Sequence, residues 1–108
     1  MYHIKQIIFS DVMVGDEKVT FTLTEFHEKY AVDEALLLEM LEYGLIEPDK
    51  AENLIVDLHT LHRIQAAMRL NRDLQVNMPG IALVLEMREK LDRMNNELEI
   101  LRKHITEM

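Results

Sequence analysis

The chain has 108 residues, 48% of them apolar, and no cysteine. That is enough for one small domain with one extended element, and it excludes a disulfide framework and a cysteine-based zinc site. The net charge of −8 lies wholly in residues 1–54, with twelve acids against four bases, while residues 55–108 balance; a nucleic-acid-binding half would carry the opposite excess.

Taken in chain order, residues 2–9 ("YHIKQIIF") and 18–23 ("KVTFTL") are rich in Ile, Val, Thr and Phe, and "VGDEK" lies between them. This pattern predicts an N-terminal β-hairpin. Thr24 is the expected N-cap of a short helix, "EFHEKY". After the turn "AVD", Asp33 caps a second helix over roughly 34–43. Gly44 can end it in the left-handed conformation, and Pro48 blocks continuation. "EPDKAEN" is polar loop, and "LIVD" is a candidate wing strand. Asp57 caps a third helix, about 58–72, whose Leu58, Leu61, Ile64 and Met68 share one face. "NRDLQVN" then breaks the pattern.

Asn77 is the expected cap of the last helix, with Pro79 in its first turn, where a missing N–H costs little. From there Val84, Met87, Leu91, Met94, Leu98, Leu101, Ile105 and Met108 step alternately by three and four. That is an a/d heptad seam, and a helix with so narrow an apolar stripe needs a partner to bury it. A homodimer through Val84–Ile105 is therefore expected. In a parallel pair Glu97 could meet Arg102 of the second copy; the sequence does not decide the orientation. Glu86–Lys90, Glu89–Arg93 and Glu99–Lys103 have the spacing of helix-stabilising i,i+4 pairs.

Little here suggests catalysis. His59 and His62 are three apart on a helix, but a metal site needs more ligands than two. Glu25 and Glu28 lie on a short polar helix with no pocket signature, and the three glycines are too scattered for a phosphate loop. The expectation is a non-enzyme without cofactor or metal. "MYHIKQIIFS" lacks the form of a signal peptide, and the longest strictly apolar run, "IALVL", is far short of a membrane span. A cytoplasmic location with no membrane contact is the default. Of the eight methionines, Met40, Met68, Met87 and Met94 fall at core or seam positions.

The order of elements resembles the MerR family of helix-turn-helix regulators, through "TLTEF", "YAVDEALLLEMLEYGLIEP" and the helix begun by Asp57. The fold this implies is mainly α. It is a MerR-like winged helix-turn-helix domain with a small N-terminal β-hairpin and a long C-terminal coiled-coil helix. The expected boundaries are 1–18, 19–76 and 77–108. The family's Gly-Val turn is Ala31-Val32 here. Its DNA-contacting Arg position holds Leu38, its two Tyr positions hold Glu39 and Met40, and the wing stretch "ENLIVD" has no basic or aromatic residue.

"RLNRDLQVNMPGIALVLEM" is similar to the signature of the CbpM family of chaperone modulatory proteins, at Arg69, Leu70, Asp73, Leu74, Asn77, Pro79, Gly80, Ile81 and Ala82. The resemblance runs from about Val19 onward. It implies a regulator that binds the J-domain of a DnaJ-type, curved-DNA-binding co-chaperone (CbpA) and restrains both its co-chaperone action and its DNA binding. The family's J-domain target presents a basic face. Coulomb repulsion disfavours docking Glu34, Glu39 and Glu42 on phosphates. Leu36 and Leu38 flank Leu37, expected to be buried, so at least one should be partly exposed. An apolar patch edged by carboxylates suits a protein partner. The expected partner-binding set is therefore Glu34, Leu36, Leu38, Glu39 and Glu42, with no direct nucleic-acid contact. The alternative is a MerR-type DNA-binding regulator, for which only Arg63, Arg69 and Arg72 of the third helix offer cations. A bare dimerisation scaffold is a third reading.

Overall fold

A computed structural model describes residues 17–107. The strand expected at 2–9, and with it the N-terminal hairpin, lies outside the described residues, as does Met108 at the end of the seam. The elements in order are β1 (Val19–Phe21), α1 (Leu23–Tyr30), α2 (Glu34–Glu42), β2 (Glu47–Pro48), β3 (Leu54–Val56), α3 (Leu58–Leu74) and α4 (Met78–Glu107). Among the described residues the architecture is mainly helical, with one small antiparallel sheet in the order β1-β3-β2.

The N-cap of α1 is Thr22, two residues earlier than expected. The Thr22 hydroxyl accepts from the Glu25 backbone N–H at 3.0 Å, and the Thr22 N–H donates to the Glu25 carboxylate at 2.8 Å. Two orphan donors are thus satisfied reciprocally. These bonds hold the Glu25 carboxyl below its ordinary pKa. Helix α1 ends at Ala31, which sits in the left-handed region at φ 57°, ψ 37°. A Cβ is unfavourable there, and this is the position where the MerR pattern has Gly. The His27 imidazole donates from Nδ1 to the Val32 carbonyl at 2.8 Å and braces the turn.

Asp33 accepts from the Ala35 N–H and caps α2, as expected. The helix closes through Tyr43, and Gly44 takes φ +73°. In the wing turn, the Asp49 carboxylate accepts from the N–H groups of Ala51 and Asn53 at 2.8 and 2.9 Å. Strand β3 is central: Val19 faces Val56 on one side, and Glu47 faces Ile55 on the other. Pro48 is tolerated because β2 is an edge strand.

Asp57 caps α3 by accepting from the Thr60 N–H at 2.8 Å, which lowers its pKa. Helix α3 does not stop near residue 72 but runs to Leu74. Asn71, Arg72, Asp73 and Leu74 are all exposed, so a polar stretch here continues the helix on its wet side. Gln75, at φ 54°, ends it. Asn77 then opens α4 by accepting from the Gly80 N–H at 3.0 Å. A Cβ on Gly80 would lie 2.7 Å from Cγ1 of Val76, so the glycine permits the close junction between α3 and α4.

One core joins these pieces. Phe21, Phe26 and Tyr30 form an aromatic cluster, with ring centroids 4.7 to 6.1 Å apart. Val32, Leu37, Met40, Leu54, Val56, Leu61, Ile64 and Met68 continue it. Only the start of α4 joins in, through Met78, Ile81 and Leu85. The remaining length of α4, roughly 33 Å at 1.5 Å per residue, projects with an exposed surface.

Candidate partner-binding site

The outer face of α2 is set by its period. At about 100° per residue, the buried Leu37 and Met40 fix the inner side, and Glu34, Leu38 and Glu42 form a stripe along the outer side at i, i+4 and i+8. Leu38 is 47% exposed, whereas Leu36 is only 8% exposed and belongs to the core. Leu36 is thus removed from the expected surface set, because its angular position falls beside Leu37 and Met40. Glu39 and Glu42 are exposed, and Glu34 is half-buried at the first turn. The structure therefore gathers Glu34, Leu38, Glu39 and Glu42 on one face.

Sequence reasoning missed Tyr43, exposed at the C-cap one turn beyond Glu39. An aromatic residue following an acidic helix was the available signal. No Lys or Arg lies on α2. On α1 the exposed Lys29 ammonium stands 5.8 and 5.6 Å from the ring centroids of Phe21 and Tyr30.

Of the three cations expected of a DNA-binding alternative, Arg69 and Arg72 are exposed and Arg63 is engaged within the protein. Arg63 on α3 donates from Nε and Nη2 to the two oxygens of Glu89 on α4, at 2.9 and 3.0 Å. Its Nη1 donates to the Leu45 carbonyl at 2.9 Å. One guanidinium thus ties the loop after α2, helix α3 and the arm α4 together, in the bidentate geometry that favours Arg over Lys. His59 also reaches Glu89, at 3.0 Å. Glu89 therefore pairs across helices rather than with Arg93, and Glu99 lies 4.0 Å from Arg102 rather than pairing with Lys103. Among the described residues no group of three or more His, Asp or Glu side chains is arranged to hold a metal.

The seam residues Val84, Met87, Leu91, Met94, Leu98, Leu101 and Ile105 are 41–69% exposed on α4. They lie along one side of the arm, away from Ile81 and Leu85, which face the core. No helix among the described residues is long and apolar enough to cross a membrane.

A helix pair with a capped tight turn, a wing hairpin, a further helix and a long arm define a MerR-type regulator. The family described as MerR HTH family regulatory protein matches residues 21–103. A chaperone modulatory protein CbpM of Citrobacter koseri is 39% identical over 85 residues, covering 77% of this chain and 84% of that protein. A chaperone modulatory protein CbpM of Escherichia coli is 31% identical over 90 residues, covering 82% and 89%. The chain belongs to the CbpM family of chaperone modulators within the MerR helix-turn-helix group. That family is regulatory and not enzymatic.

Proposed function

We propose that this chain binds the J-domain of a DnaJ-type, curved-DNA-binding co-chaperone of the CbpA kind through the outer face of α2, and so inhibits its co-chaperone and DNA-binding activities. The observation that carries the reading is Leu38, exposed between Glu34 and Glu42 on a helix without a single cation. A basic helix laid on this face gains an apolar contact at Leu38 and charge complementarity around it. Glu39 and Tyr43 extend the contact along the next stripe. Engagement of that basic J-domain surface would deny it to the DnaK-type chaperone, which is a competitive mode of inhibition.

The exposed seam from Val84 to Ile105 supports pairing of two copies through α4, with one acidic face per copy. The alternative of DNA reading by α2 is disfavoured, because carboxylates stand where phosphate contacts would be needed and Arg63 is held by Glu89. The test is a calorimetric titration of the purified chain with a purified J-domain, beside a gel shift with duplex DNA at low salt. A J-domain complex that weakens as salt rises, with no duplex bound, is expected. Tight duplex binding without J-domain binding would overturn the proposal.

A further inference from the structure

Away from the acidic face, a groove of about 340 Å³ opens between α3 and α4. Its floor is Ala66 and Leu85, both core residues with little exposed area. Arg69 from α3 and Arg88 from α4 line it from opposite helices, with His62 beside them. Both arginines are exposed and neither has an ion-pair or hydrogen-bond partner among the described residues. The Arg63–Glu89 pair also lines it. Arg88 lies at an e position, on the flank of the a/d seam rather than in it. Glu89 is taken up by Arg63, so Arg69 and Arg88 outnumber the one other carboxylate lining the groove, Asp92.

We infer that this groove is a second binding site, and that it takes an acidic peptide segment. Guanidinium forks match carboxylates bidentately, and the apolar floor accepts an aliphatic side-chain stem. Asp92 on the same wall decides between anions. A nucleic-acid strand carries a charge about every 3.4 Å, fixed in its backbone, so it cannot avoid Asp92 and Glu89. A peptide carries its carboxylates on flexible side chains, which can turn toward Arg69 and Arg88 and away from Asp92. The site is independent of the α2 face, whose complement is basic.

The experiment is fluorescence anisotropy of labelled hexaglutamate with the full chain at low salt, repeated with a labelled single-stranded oligonucleotide of similar charge. Arg69→Ala and Arg88→Ala should each weaken hexaglutamate binding roughly tenfold, the effect of losing a hydrogen bond to a charged group. Asp92→Asn should tighten it, which a merely structural role for these exposed residues would not produce. Inorganic phosphate at equal concentration should compete poorly. Absence of hexaglutamate binding, affinity unchanged in both arginine variants, or tighter binding of the oligonucleotide would each overturn the inference.

Discussion

Arg63 bonds to both the loop after α2 and the arm α4, and its removal has a calculable consequence. The Arg63 and Glu89 side chains are 25% and 27% exposed, so the pair is neither fully solvated nor dry. Exposed ion pairs contribute about 0.2–1 kcal/mol, and breaking a buried pair costs about 3–5 kcal/mol. A bidentate pair of intermediate exposure should lie between, at about 2 kcal/mol, including the bond from Arg63 to the Leu45 carbonyl. For a chain of this length that corresponds to a fall in Tm of roughly 8 °C. The assay is a double-mutant cycle with Arg63→Met, Glu89→Gln and the combined variant, unfolded in urea at one fixed protomer concentration, because pairing of copies would otherwise shift the apparent stability. The cycle should return a coupling of about 1–2 kcal/mol. Additive single effects, with coupling below about 0.5 kcal/mol, would refute the view that this pair fixes the arm to the body.

Other consequences follow from the turns, caps and seam. Ala31→Gly should stabilise the chain by about 1 kcal/mol, because the left-handed turn then loses its Cβ penalty; chemical denaturation measures it. Asp57→Ala should destabilise by about 1 kcal/mol through loss of the α3 cap. The Asp57 and Asp49 carboxyls have lowered pKa values, chiefly because each accepts backbone hydrogen bonds. Their folded values lie below the unfolded ones, so their stabilisation is present above the ordinary carboxylate pKa of about 4 and fades as pH falls through the lower, folded values. Acid titration followed by circular dichroism should show this, with Asp57→Asn reducing the acid dependence. If α4 pairs two copies as proposed, the parent chain should sediment as a dimer and Leu98→Glu, which sets a charge in mid-seam, as a monomer without loss of helix.

Much of this fold was legible because its signals are local. Asp33, Asp57 and Asn77 each cap the helix expected of them, since an N-cap needs only a side-chain oxygen two or three residues from its donor. Thr22 was missed although Thr22-x-x-Glu25 is itself a capping-box pattern; the neighbouring Thr24 obscured it. The extension of α3 through Asn71–Leu74 was hidden because a helix on its solvent side needs no apolar period. Non-local features left less trace. The pairing of β1 with β3 joins residues 19–21 to 54–56, and the Arg63–Glu89 bond spans 26 positions. Neither can be read from spacing. At the candidate site, the acidic character of α2 was plain in the sequence. Which leucine faces outward was not, because Leu36, Leu37 and Leu38 are consecutive and only packing against Met40 and the core fixes the rotation of the helix. Tyr43 lay outside the expected set because its exposure depends on how α2 ends.

The most direct measurement is J-domain affinity of the double variant Glu39→Lys/Glu42→Lys against that of Glu107→Lys, an exposed reversal at the far end of the arm. If the α2 face is the binding surface, the double variant should lose at least about tenfold at low salt, mainly through slower association, while Glu107→Lys stays near the parent affinity. Equal affinities in all three proteins would contradict the account.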